Sequence, residues 1–320
     1  GGRIARMISG AARMYRAVRA AQPDIVHFHD PELIPIAFLM RLNRVSVIYD
    51  VHEDLPGQIL GKHYIPVVLR RPVSWVVGGL EWLAGRIFDG FMPATPAIGT
   101  HFPAQRSVLV QNFPLPGELV APTPARYAER PPHFAYVGGI TAIRSTRQMV
   151  DAIAQIEPPE ARLKMAGKFM PDAHRTEIEV LPGWSRTDFE GWADRPTVAT
   201  LLGGVRAGLV LFQPLPNHTA SQPNKLFEYM GAGLPVIASD FPLWRQLVGG
   251  AGSGLLVDPE DPTAIAQAME WILDNPEEAE EMGQRGKLAV ETTYNWPTEA
   301  RKLVAFYHER LGVPLKTGKK

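Results

Sequence analysis

The stretch Ser221–Asp240, SQPNKLFEYMGAGLPVIASD, constrains this chain more than any other. It reads as a short helix, a glycine stop and a buried strand. Ser221 is expected as the N-cap, with Pro223 in the first turn, where a missing N–H costs little. Gly231 and Gly233 end the helix. Leu234–Ala238 is a continuous apolar run, as in a strand covered on both faces, which points to a parallel α/β sheet. Spacings of four and three put Ser221, Lys225 and Glu228 on one helical face. A cation near a helix start opposes the dipole, so Lys225 calls for an anion beside it. Helix N-termini bind phosphate through free N–H groups, and Glu228, one turn deeper, can accept from sugar hydroxyls. A nucleotide diphosphate with a carboxylate on its ribose fits this chemistry. A Lys–Glu pair on a solvated face is the plainer alternative.

Composition narrows the choices. The chain's 320 residues suffice for two domains. Thirty-three basic residues balance 33 acidic ones, which argues against a general nucleic-acid binder. There is no cysteine, so disulfides, thiol nucleophiles and thiolate metal sites are excluded, and cytoplasmic residence fits. No apolar run approaches the ~20 residues of a membrane span. The basic segment GGRIARMISGAARMYRAVRA lacks the apolar core of a secretory signal.

The order of elements predicts two doubly wound, Rossmann-like halves. In the first, a helix over 3–21 precedes strands at 24–29, 45–51, 90–95 and 107–111, with helices at 31–42 and 67–87. This half opens on a helix rather than on a strand and glycine turn, so it is expected to be incomplete by about two βα units, ~60 residues at ~30 per unit. Residues 112–133, rich in proline, read as a linker. The second half has strands at 134–137, 162–166, 187–190, 207–212, 234–238 and near Val257. Domains are expected at 1–120 and 130–296, with a C-terminal helix, 297–312, joining the first.

Several positions carry chemistry. Gly138 and Gly139 end a strand, where glycine lets the backbone approach a ligand, and Arg144 can reach a phosphate from the same loop. His27, His29 and Asp30 close one strand, and His52 with Glu53 follows the next. A binding surface for sugar hydroxyls or a leaving phosphate is preferred there over satisfied loop histidines. A metal is disfavoured for want of a ligand-spaced motif. Trp192 offers a stacking face for a base, although packing is the commoner role. The helix over 67–87, with Trp75, Trp82, Arg70, Arg71 and Arg86, is expected to pack on the sheet, with contact to a membrane surface as the alternative.

Together, HFHDPE (27–32), YDVHEDLP (49–56), Thr95-Pro96, Asn112-Phe113-Pro114, YVGG…R (136–144), AGK (166–168), the EGW turn, PNKLFEYMGAGLPVIASD (223–240) and GLLVDPEDP (254–262) resemble the retaining glycosyltransferases of family 4, of GT-B fold. The chain is most similar to the subgroup with a PNKxxEYM motif. The resemblance implies transfer of a sugar from a nucleotide sugar with retention of configuration, without metal or other cofactor. The acceptor is expected to be a sugar or a lipid-linked or polysaccharide precursor at the inner membrane face. The implied donor-binding residues are Gly138, Gly139, Arg144, Lys168, Trp192, Ser221, Asn224, Lys225 and Glu228. His52 and Asp30 are expected to be catalytic, with His27, His29 and Glu53 on the acceptor side. The chain departs from the pattern at Ala220, where a glutamate usually holds the donor sugar, and at Gly139, where an arginine is common. A same-fold epimerase and a non-catalytic sugar-nucleotide binding module are the alternatives.

Overall fold

The computed structural model describes residues 3–62 and 65–314. Two compact units emerge among the described residues: 3–112 with 297–314, and 113–296.

The first unit holds a three-stranded parallel sheet, β1 (Ile25–Phe28), β2 (Ser46–Val51) and β3 (Gly90–Pro93), in that order. Helices Ile34–Leu42 and Val67–Ile87 return the chain from strand to strand. Phe28, Tyr49, Phe88, Phe91 and Phe102 fill its core, with Phe28 stacked on Tyr49 at 4.8 Å between ring centres. The fourth strand expected at 107–111 does not form. Val108 and Val110 donate to the carbonyls of Phe91 and Pro93, but only one bridge results, between Phe91 and Ser107. Pro93 has no N–H to return, so the ladder stops.

The second unit is a six-stranded parallel sheet in the order β6-β5-β4-β7-β8-β9. Its strands are β4 (His133–Val137), β5 (Arg162–Ala166), β6 (Thr187–Gly191), β7 (Ala207–Val210), β8 (Val236–Ser239) and β9 (Gly254–Val257). Side chains alternate between two cores. Phe134 and Tyr136 face helices Thr146–Ile153 and Pro262–Asp274, whereas Ala135 faces helices Arg195–Gly203 and Asn224–Gly231. This is the doubly wound arrangement expected, and its chain order reverses between β4 and β7. Ligands of open α/β sheets bind outside the carboxyl ends of strands at that point. The segment expected as a linker is packed into this unit: Phe113, Leu119 and Tyr127 are buried in its cores.

Candidate functional site

The loop after β4 carries the glycines to the switch point. Gly138 has φ +129°, and a Cβ there would lie 3.0 Å from Lys225 Nζ and 3.5 Å from Arg144 Nη1. Glycine thus leaves room for two cations to approach one backbone turn. The turn is held from three sides. Tyr229 OH accepts the Val137 N–H at 2.8 Å, Tyr136 OH donates to the Gly139 carbonyl at 2.6 Å, and Arg144 Nη1 donates to the same oxygen at 3.3 Å. The loop after β7 fixes the other edge: Gln213 N donates to the Ile143 carbonyl and Gln213 Nε2 to Ser145 Oγ, both at 2.9 Å. Behind Gly138 lies Gly167, φ +150°, where a Cβ would stand 1.8 Å from the Gly138 carbonyl oxygen. Gly167→Ala is therefore expected to cost about 2–4 kcal/mol, combining overpacking with backbone strain. Urea unfolding of the variant measures it.

Lys225 is the second residue of helix Asn224–Gly231. Its ammonium is buried, lies 4.0 Å from the centre of the Tyr136 ring and has no hydrogen-bond partner. Burial first, and then Arg144, push its pKa down to about 7, with Glu228 opposing. A buried cation with no partner, beside a second cation, can take an anion. The Lys–Glu pair of the plainer alternative does not form among the described residues. Glu228 instead takes Arg195 at 3.4 Å, and Arg195 also pairs with Glu118 at 2.6 Å. A shallow hollow lined by Pro114, Glu118 and Phe227 opens beside Glu228.

Ser221 is not the N-cap. Pro223 holds that position, because a proline disfavours helical backbone at the residue before it. Ser221 Oγ donates to the His218 carbonyl at 2.8 Å, and the Ser221 carbonyl accepts from Trp244 Nε1 at 2.8 Å. The helix does end as read, at Gly231, with Gly233 at φ +74° and Leu234 N–H returning to the Tyr229 carbonyl. Asn224 is the exposed first residue of the helix. Lys168 is exposed just past Gly167, and its carbonyl accepts from Ile140 N–H at 2.9 Å. Trp192 is exposed just past β6, whose last residue, Gly191, accepts from Gly167 N–H.

In the first unit, neighbouring strands gather histidines on one carboxylate. His27 sits in β1 and His29 just after it; Asp50 lies in β2 and His52 just after it. The parallel register that pairs His27 with Ile48 brings the next residues on the same face, His29 and Asp50, alongside. His27 Nε2 and His29 Nδ1 stand 3.2 and 3.1 Å from Asp50 Oδ2, and His52 Nε2 stands 3.2 Å from Oδ1. Asn112 Nδ2 donates to His52 Nδ1 at 3.0 Å, which assigns the His52 proton to Nε2. Tyr307 OH lies 2.5 Å from His27 Nδ1 and donates to it. Burial works against the Asp50 charge, but the hydrogen bonds from His27 and His52 outweigh it and hold the carboxyl far below the usual range. In return, the hydrogen bond to Asp50 raises the His52 pKa. Asp30 and Glu53 are exposed and make no ion pair with the histidines among the described residues.

Asp50 carries no local signal in the sequence because it interrupts an otherwise apolar strand, and neither do Arg195 and Glu118, which pair across a long stretch of the second unit. The nitrogens of His27 and His29 and an Asp50 oxygen lie within 4.8 Å of one another, so a metal ion could be held there. The expectation is that none is needed. Exhaustive chelation with EDTA should leave turnover unchanged; loss restored by one divalent metal would make this cluster a metal centre.

Residues 131–275 match the family model described as "Glycosyl transferases group 1". The D-rhamnosyltransferase WbpZ of Pseudomonas aeruginosa is 25% identical over 281 residues, covering 84% of this chain and 69% of the relative. A structure of Anabaena HepE in complex with UDP superposes with TM-score 0.76 at 14% identity, covering 93% of this chain and 82% of that one. Sucrose-phosphate synthase of Thermosynechococcus elongatus superposes with TM-score 0.73 at 20% identity, covering 98% of this chain and 80% of the other. The chain thus has the fold of GT-B glycosyltransferases, and residues 131–275 are similar to the group 1 glycosyl transferases.

Proposed function

We propose that this protein transfers a sugar from a nucleotide diphosphate sugar to an acceptor with retention of configuration, in the manner of family 4. The observation that carries this reading is the buried, unpartnered Lys225 ammonium beside Gly138 and Arg144, at the strand ends where open α/β sheets bind ligands. The diphosphate sits against Lys225, Arg144 and the N–H groups that begin helix Asn224–Gly231. Its departure builds negative charge, which preorganised cations stabilise. The sugar carbon gains oxocarbenium character, and the departing phosphate takes the acceptor's proton. Glu228 accepts from the ribose hydroxyls once Arg195 is drawn aside, and Trp192 stacks on the base. His52 orients the transferred sugar, with its proton position set by Asp50 and Asn112. His27 and His29 of the same cluster face the acceptor in this reading. No metal is required.

The proposed acceptor is a lipid-linked or polysaccharide precursor at the cytoplasmic membrane face. HepE, bound to UDP, and WbpZ, a rhamnosyltransferase, support the donor and reaction classes by similarity. The test is turnover with a panel of nucleotide sugars and lipid-linked sugars, read by product mass and anomeric configuration. Transfer with retention supports the reading. Inversion removes the retaining mechanism; interconversion of the nucleotide sugar without transfer makes the protein an epimerase; and binding without turnover makes it a binding module.

A further inference from the structure

The helix Val67–Ile87 presents a surface that a water-facing helix does not carry. Its inner side is defined by buried Ser74, Glu81, Ala84 and Gly85, and Ser74 Oγ donates to the Pro56 carbonyl at 2.9 Å. The outer side is apolar along its length. Val68 is 80% exposed, Trp75 75%, Val76 64% and Trp82 60%, with Val67 and Leu83 also open. That strip runs over four turns, or about 24 Å at 1.5 Å per residue. A solvated helix face of this length normally carries charges of both signs. Here the helix has only four charged residues, Arg70, Arg71, Glu81 and Arg86, and its single acid is buried. Arg70 Nε is spent on the Ile65 carbonyl at 2.9 Å. The exposed charges are Arg71 and Arg86, both positive, and the Arg86 guanidinium lies 3.2 Å over the Trp82 ring.

We propose that this helix docks the first unit on the surface of an anionic lipid bilayer, lying in the interface plane with Trp75, Val76 and Trp82 among the headgroups. Three observations favour lipid over a protein partner. The strip is long and lies on one helix, which suits a plane rather than a pocket. Its charge is of one sign and complements an anionic surface. Its largest groups are tryptophans, which settle where an apolar body meets a wet edge. The helix lies on the membrane rather than crossing it: no helix among the described residues is long and apolar enough to span, and the inner side of this one is committed to the unit's own packing. The proposal concerns the first unit and stands whether or not the second binds a nucleotide sugar.

The test is co-sedimentation of the full chain with vesicles of phosphatidylethanolamine and phosphatidylglycerol at about 7:3, against vesicles of phosphatidylcholine alone. Binding to the anionic vesicles is expected, with a blue shift of tryptophan emission and weakening in salt. Arg71→Ala and Arg86→Ala should each lower the partition about fivefold, the equivalent of about 1 kcal/mol per basic residue. Trp75→Ser with Trp82→Ser should lower it at least tenfold while leaving circular dichroism and the thermal midpoint in place. A chain that stays in the supernatant overturns the proposal. So does partition that the tryptophan variant does not change. Self-association in light scattering that the same tryptophan variant abolishes, without vesicle binding, assigns the strip to a protein interface and also overturns it.

Discussion

Lys225→Met is expected to weaken nucleoside diphosphate binding by about one to two orders of magnitude while making the empty protein more stable. The two effects share one cause. The folded protein holds the Lys225 ammonium buried and without a partner, and its pKa falls to about 7 from an ordinary 10.5. A basic group whose folded value is depressed costs stability wherever the unfolded chain binds the proton more readily. That cost is full below about pH 7, shrinks as pH rises, and vanishes above the ordinary lysine value. Methionine keeps the stem against Tyr136 and removes the charge, so a gain of a few kcal/mol is expected at pH 6 and little at pH 10, on the scale of 1.36 kcal/mol per pKa unit. Urea midpoints at the two pH values measure it. A charged hydrogen bond contributes about 1.5–3 kcal/mol, so losing the diphosphate's partner should weaken binding roughly 10- to 150-fold. A variant that is both less stable and equally able to bind would place Lys225 in the packing instead.

Asp50→Asn is expected to lower kcat by about two orders of magnitude with donor affinity unchanged. Asp50 accepts from His27 and His52 and so fixes which nitrogen of those two rings carries the proton, with His29 Nδ1 3.1 Å from its Oδ2. Asparagine keeps the volume but turns an N–H₂ toward at least one ring, so the rings lose a shared acceptor, and groups that orient reacting ligands typically matter 10- to 100-fold. His52, whose pKa the hydrogen bond to Asp50 raises, becomes easier to deprotonate, so the limb of the pH–rate profile that reports it moves to lower pH. The carboxylate also sets an acid limit on the fold: the stability it contributes is present above its ordinary value of 3.8 and is lost as the pH falls through its depressed folded value. Full kcat with an unmoved profile would reduce the histidine cluster to scaffolding.

The sequence made the second unit legible because its signals are local. A strand ending in Gly138-Gly139, an arginine in the same loop and a lysine at a helix start each read correctly over a few residues, and the chain reversal between β4 and β7 brings them together. The errors have equally physical causes. The helix start slipped from Ser221 to Pro223 because the proline's effect on its predecessor outweighs the serine's capping preference. Ser107–Gln111 has strand composition, but Pro93 in the neighbouring strand cannot donate the N–H that would extend the ladder. Arg195, Glu118 and Asp50 were invisible as a site because their partners lie far along the chain or on an adjacent strand, where no local period marks them. The helical spacing of Glu228 predicts a ribose-facing carboxylate, and the structure adds Arg195, which pairs with it.

Calorimetric titration of the full chain with uridine, guanosine, adenosine and thymidine diphosphates tests most directly whether the Gly138 loop with Arg144 and Lys225 holds a diphosphate. One of these is expected to bind one-to-one. At pH 8, with two buffers of different ionisation enthalpy, binding should take up close to one proton, because Lys225 is mostly neutral when empty and charged against the diphosphate. Lys225→Met should bind roughly 10- to 150-fold more weakly and lose the proton uptake. Absence of binding by any of them, or binding by the variant equal to that of the parent, would contradict the account.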